Sequence, residues 1–213
     1  MEVFQQELAY IFNAFVGIFV IVDPFAVIPV YISLTKDFPL AQEQAHVRRK
    51  ATLIAWVILI TFALSGMAIF KVFGITLPAF QIAGGILLLK FGLAQLSDSR
   101  DRVNPEEKRE SKDRDDISVF PLAIPLLAGP GSISTVVLYS SKAHGEIRMI
   151  SLVVAITAAL LSCLVILKMA RYLYRYLGKT GLNLMTKLMG ILLTAIAVQF
   201  IINGLKQVVD TFL

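Results

Sequence analysis

The sequence predicts an all-α polytopic membrane protein: six transmembrane helices in two inverted three-helix repeats, with spans 1 and 4 broken at mid-membrane. Three observations lead there. The 213 residues are 57% hydrophobic and 16% charged, with mean hydropathy +0.75; soluble domains run near about half apolar and a quarter charged. Six apolar runs reach the roughly 20 residues that a bilayer helix needs. The two halves of the chain also resemble each other, with helix breakers at matching places.

Charge is segregated. Residues 98–116 hold 14 of the 35 charged groups, and read as a solvated linker. The organisation expected is a first repeat over 1–97, a charged cytoplasmic linker over 98–118 and a second repeat over 119–213. The net charge of +5 lies in loops, apart from the aromatic residues, which argues against a nucleic-acid partner. Cys163 is the single cysteine, so an intramolecular disulfide and a cysteine metal site are excluded. His46 and His144 are expected in loops on opposite sides of the bilayer, too far apart to share a metal.

The spans, in order, are Leu8–Leu34, Ala51–Val72, Ile75–Leu96, Val119–Ser141, Met149–Leu167 and Leu188–Val208. Span 1 contains Asp23-Pro24 near its middle. Span 2 is a plain apolar run. Span 3 is the weakest, because Pro78 and Gly84-Gly85 interrupt it. Span 4 contains Gly129-Pro130-Gly131, preceded by Pro121 and Pro125. Spans 5 and 6 are continuous. A cleaved signal peptide is not expected, because no Lys or Arg precedes Lys36. The loops after spans 1, 3 and 5, together with Lys90 near the end of span 3, carry 16 of the 20 Lys and Arg residues. The positive-inside rule makes that side cytoplasmic, with both termini on the outer side.

The repeat rests on three matches. Asp23-Pro24 pairs with Gly129-Pro130, Phe73-Gly74 with Leu177-Gly178, and Gly85-Ile86-Leu87-Leu88 with Gly190-Ile191-Leu192-Leu193. The offsets between partners stay nearly constant. Each half holds three spans, an odd number, so the second half enters the membrane the other way up. Inverted repeats of this kind are a recurring architecture of secondary transporters.

Asp-Pro and Gly-Pro inside apolar spans read as helix restarts. Asp and Gly can cap, and Pro suits the first helical position while breaking what precedes it. Each span then becomes two half-helices joined by an unwound stretch, which membranes tolerate only against protein or a watery cavity. The half-helix N-termini present N–H donors and partial positive charge; the preceding C-termini present carbonyls, and Asp23 adds a carboxylate. That set fits a zwitterion. The candidate substrate-binding residues are Asp23, Pro24, Phe25, Gly129, Pro130, Gly131, Ser132 and Ser134, with Thr135 a weaker member. Asp23 is the only acidic residue deep in a span. Burial there costs about 2.5–3.5 kcal/mol on insertion scales, so it is also the candidate for carrying a coupled proton. No other cofactor is expected. Substitution of Gly129 or Gly131 by Val is expected to abolish binding and leave folding intact. Gly84 and Gly85 read as close-packing positions, and Gln81, Gln199 and Asn203 as interhelix hydrogen-bonding groups.

The stretches DPFAVIP (23–29), FGITLPAFQIAGG (73–85), PLAIPLLAGPGSIS (121–134) and LMGILLTAIAVQFIINGL (188–205) resemble the MarC family of bacterial inner-membrane proteins, which includes the SnatA amino-acid transporters. The resemblance covers nearly the whole chain outside the linker. It implies six spans and transport, usually export, of small neutral amino acids such as alanine, glycine, serine and threonine. The family's Asp-Pro pair falls on Asp23-Pro24 and its Gly-Pro-Gly on Gly129, Pro130 and Gly131.

Three functions compete on the residues. A secondary transporter uses both breaks. An intramembrane enzyme with Ser132 as nucleophile lacks a base, since no His lies in a span; an enzyme is not expected. A non-transporting interaction or assembly protein needs no matched breaks. Transport of a different small solute also remains open. The partners expected are small neutral amino acids and the lipid bilayer, with room for a homo-oligomer.

Overall fold

The computed structural model describes residues 2–35, 38, 40–96, 116–143 and 145–212. Among these, all regular structure is helical: α1 (Glu2–Val22), α2 (Pro24–Leu34), α3 (Ala41–Phe73), α4 (Leu77–Leu96), α5 (Ser118–Leu127), α6 (Pro130–Ser141), α7 (Glu146–Lys168) and α8 (Ala170–Phe212). Most of the linker, and His144, lie outside the described residues.

Four stretches are long and apolar enough to cross a membrane: Gln5–Val22, Leu77–Leu96, Glu146–Lys168 and Thr180–Asp210. The pair α5–α6, bent by 54° at its break, makes a fifth. α3 adds an uncharged run over residues 51–70.

The breaks fall where the sequence places them. α1 ends at Val22 and α2 starts at Pro24, with Asp23 between them in the left-handed region (φ 46, ψ 67). α5 ends at Leu127 and α6 starts at Pro130. Four details differ from expectation. Pro78 and Gly84-Gly85 do not interrupt span 3: Pro78 is the second residue of α4, where its missing N–H has no intrahelical acceptor to lose. The first half of span 4 is not a regular half-helix. Phe120 and Ile124 are extended, each ahead of a proline in a cis peptide bond, as the residue before proline avoids the helical region. The expected loop after span 5 is helical, and α8 runs from Ala170 with a break only at Gly178 (φ 62). His46 lies in the exposed first turns of α3, not in a loop.

Gly74, the sequence partner of Gly178, also has positive φ (65) and ends α3. Glycine adopts that conformation without a Cβ penalty, so the same residue punctuates both halves.

α4 lies along α8, α1 along α7, and α3 against α5, α6 and α7. On α3, Ala51, Ala55, Leu59 and Ala63 are fully buried. That four-residue spacing puts small side chains on one face, while α7 buries Leu152, Ile156 and Leu160. In a bilayer such contacts gain from close packing rather than from escape from water. The Trp56 indole N–H, on α3, donates to Thr157 Oγ1, on α7, at 2.9 Å.

α4 and α8 run antiparallel. A Cβ on Gly204 would meet Pro78 O and Ile82, one on Gly85 would meet Ala197 O and Ile201, and one on Gly190 would meet Gly92 O and Gln95. Gly84 and Gly85 therefore serve close packing. Gln81 Oε1 accepts across this seam from Gln207 Nε2 at 3.0 Å. Gln199 and Asn203, expected to bond between helices, bond to each other along α8 (2.8 Å).

Polar contacts mark the two ends of the bundle. At one end, near the start of α1, Glu7 accepts from Ser151 (2.8 Å) and pairs with Arg148 (3.4 Å). At the other, Lys50 is ion-paired with Asp116.

Candidate functional site

Asp23 is 3% exposed. Its Oδ1 accepts from the Ala26 N–H at 3.2 Å, and its carbonyl accepts from Ala26 (3.1 Å) and Val27 (3.4 Å). It is thus the N-cap of α2, with Pro24 at the first helical position. A non-glycine residue in the left-handed region costs on the order of 1–3 kcal/mol, and such residues gather at functional sites. Asp is among the few that adopt it readily, because its short side chain bonds locally. The Phe19 and Phe25 rings meet edge-on across the break (6.4 Å, 84°). Cys163, buried on α7, lies within electrostatic reach of the Asp23 carboxylate.

The second break is built differently. Gly129 caps α6 with no side-chain hydrogen bond. A Cβ there would collide with the Pro125 carbonyl oxygen, so the preceding turn admits only glycine. The N–H groups of the first turn of α6 have no carbonyl within their own helix. The two N-termini are therefore unlike. α2 is already answered by its own carboxylate, whereas α6 has no side chain in that role.

The structure brings the breaks together. A Cβ on Gly131 would lie 2.5 Å from Leu88 Cδ2 and 3.4 Å from Ile21 Cγ2. Ile21 is two residues before Asp23, so the last turn of α1 touches the first turn of α6, with α4 beneath. Asp23, Pro24, Gly129, Gly131 and Ser132 are buried around this junction, and Phe25 is half-buried. Two expected members are placed elsewhere. Pro130 is exposed, and Ser134 packs against Gly84, its Cβ 2.9 Å from where a Gly84 Cβ would sit. Sequence reasoning missed Ile21 and Leu88, whose apolar side chains carry no signal within apolar spans.

Val at Gly129 would not leave the fold intact, contrary to expectation, because the obstacle is backbone. At Gly131 the obstacle is the end of the Leu88 side chain.

These features define a polytopic helical membrane protein with a buried, two-break junction. Residues 8–209 match the MarC family of integral membrane proteins, and the chain belongs to that family. It is 38% identical to a UPF0056 membrane protein of Aquifex aeolicus, over 95% of this chain and 96% of that one. It is 37% identical to the UPF0056 membrane protein YhcE of Escherichia coli, over 92% of each. A UPF0056 membrane protein of Methanocaldococcus jannaschii is 39% identical, over 94% of this chain and 98% of that one. No solved structure matches the chain.

Proposed function

We propose that the protein is a secondary transporter of small neutral amino acids such as alanine, glycine, serine and threonine, acting as an exporter of the SnatA type in a bacterial inner membrane. The meeting of the two breaks at Ile21 and Gly131 carries this reading. A substrate carboxylate suits the N-terminus of α6, which has no side-chain cap. The ammonium suits Asp23 and the carbonyls that end α1. In its protonated form Asp23 would carry the coupled proton. A non-transporting role gives no reason for two breaks to meet around a buried carboxylate.

Six spans in two inverted repeats suit this function. The α4–α8 seam supports the inversion. At one constant offset Gly85 corresponds to Gly190 and Gly92 to Ala197, so the contact of Gly85 with Ala197 is the counterpart of that of Gly190 with Gly92. Equivalent helices that pack antiparallel are related by a two-fold axis across their length, which turns one half upside down in a bilayer. The Glu7–Arg148 and Lys50–Asp116 contacts lie at opposite ends of the bundle; outer termini and a cytoplasmic linker rest on the distribution of Lys and Arg. Substrate would be passed by rocking of one repeat against the other.

The test is counterflow of labelled alanine into proteoliposomes of the purified chain. Counterflow needs no driving force, so no coupling ion is assumed. Uptake competed by glycine and serine but not by leucine is the expected result. Folded protein without uptake of any small neutral amino acid would overturn it.

A further inference from the structure

Thr135 sits four residues beyond Gly131 on α6 and is fully buried. Its Oγ1 has no hydrogen-bond partner among the described residues. Five other helical threonines spend the hydroxyl on the carbonyl four residues back: Thr52 on Arg48, Thr61 on Val57, Thr157 on Val153, Thr186 on Leu182 and Thr194 on Gly190. Thr135 does not bond to Gly131 in this way. A buried hydroxyl left unpaired costs stability, and such groups in folded proteins call for an explanation.

Position supplies one. Residues four apart share a helix face, and helical side chains tilt toward the N-terminus. Thr135 therefore leans over the turn that holds Gly131, the turn that meets Ile21 at the end of α1. The N-terminus of α6 and the unpaired hydroxyl converge on one place. Gln81 Nε2 is also buried and unpaired, but Gln81 lies in the α4–α8 seam, where its Oε1 accepts from Gln207.

We propose that Thr135 is a substrate ligand: its hydroxyl donates to the carboxylate of an amino acid held at the N-terminus of α6. The assignment rests on the transporter reading and extends it to one named contact. The incoming carboxylate supplies the acceptor that the hydroxyl lacks among the described residues.

Thr135→Val keeps the shape and removes the hydroxyl; Thr135→Ser keeps the hydroxyl. The full chain is measured twice, for alanine KM in counterflow and for Tm with and without alanine. A hydrogen bond to a charged group is lost in the Val variant, so KM rises about tenfold or more and the alanine-induced rise in Tm shrinks. The substrate-free Tm of the Val variant equals or exceeds that of the parent chain. The Ser variant stays close to the parent in KM. An unchanged KM in Thr135→Val overturns the assignment. So does a substrate-free Tm that falls in the Val variant and recovers in the Ser variant, which would reveal a structural partner. A parent chain that neither exchanges nor binds alanine overturns the transporter reading itself, before any variant is compared.

Discussion

Gly131 and Ile21 are in contact range across the junction of the two breaks: a Cβ on Gly131 would stand 3.4 Å from Ile21 Cγ2 and 2.5 Å from Leu88 Cδ2. Residues more than a hundred positions apart thus bring a buried carboxylate and a helix N-terminus without a side-chain cap to one place.

The two junction glycines should respond differently. Gly129→Ala meets the Pro125 carbonyl, which is backbone and cannot turn aside, so it should destabilise by about 1–3 kcal/mol through overpacking. Gly131→Ala meets the end of the Leu88 side chain and comes within ordinary contact of Ile21, with no backbone in the way, so it should fold better than Gly129→Ala and lose counterflow. Tm and alanine uptake, measured on both variants, check this. Equal loss of Tm in both would refute the distinction.

Asp23 should separate its capping role from any proton role. Asn keeps the cap and tolerates the left-handed conformation, whereas Ala loses both. Asp23→Ala should cost about 1–2 kcal/mol from the lost cap, and Asp23→Asn much less. If protons are coupled, Asp23→Asn should retain counterflow and lose accumulation driven by a pH gradient. Accumulation that persists in Asp23→Asn would remove the proton from the mechanism.

The half-helices are tied at opposite ends. The Tyr31 hydroxyl donates to the Gln44 carbonyl (3.0 Å), and Gln44 Nε2 to the Phe38 carbonyl (2.7 Å). The Tyr139 hydroxyl donates to the Asn13 carbonyl (3.0 Å), and the Tyr10 hydroxyl to the Tyr139 carbonyl (2.9 Å). Tyr31→Phe should loosen the end of the bundle that holds Lys50 and Tyr139→Phe the end that holds Glu7, each at about 1 kcal/mol. Cys163, buried on α7, is a native reporter. An impermeant maleimide should label it faster from the Lys50 end in Tyr31→Phe and from the Glu7 end in Tyr139→Phe. Equal labelling from both faces would mean that these bonds do not gate access.

The Asp116–Lys50 pair predicts a pH dependence. Hydrogen bonds from Lys50 and Ser118 hold the Asp116 carboxyl down at about 2, below its ordinary value of 3.8. A lowered folded-state pKa gives stability that is complete above the unfolded value and is lost as pH falls toward the folded one. Asp116→Asn should therefore lower Tm slightly at pH 6, and the difference should vanish near pH 2. The effect stays small because the Lys50 side chain is 43% exposed and solvent screens the pair. A difference in Tm that persists unchanged at pH 2 would contradict this origin.

Much of this protein was legible in its sequence because a bilayer imposes local rules. Span length, charge asymmetry and the Asp-Pro and Gly-Pro restarts are written within a few residues of where they act, and α2 and α6 begin at the prolines that the sequence marks. Legibility failed where the cause was not local. Pro78 looks like a breaker in isolation, yet it opens α4. Pro121 and Pro125, each with an extended residue before it, unwind α5 instead of leaving a half-helix. Nothing in the sequence marks that Ser134 packs against Gly84.

The sequence by itself determined an integral membrane protein with paired breaks, since hydropathy and proline chemistry act along the chain. Only the tertiary structure decided that the breaks touch, that Asp23 is bonded to its own helix while α6 has no side-chain cap, and that the hydroxyl of Thr135 has no partner among the described residues. Those depend on which faces of α1, α4 and α6 meet. In spans apolar on every side, periodicity carries no record of facing, and close packing alone makes the choice.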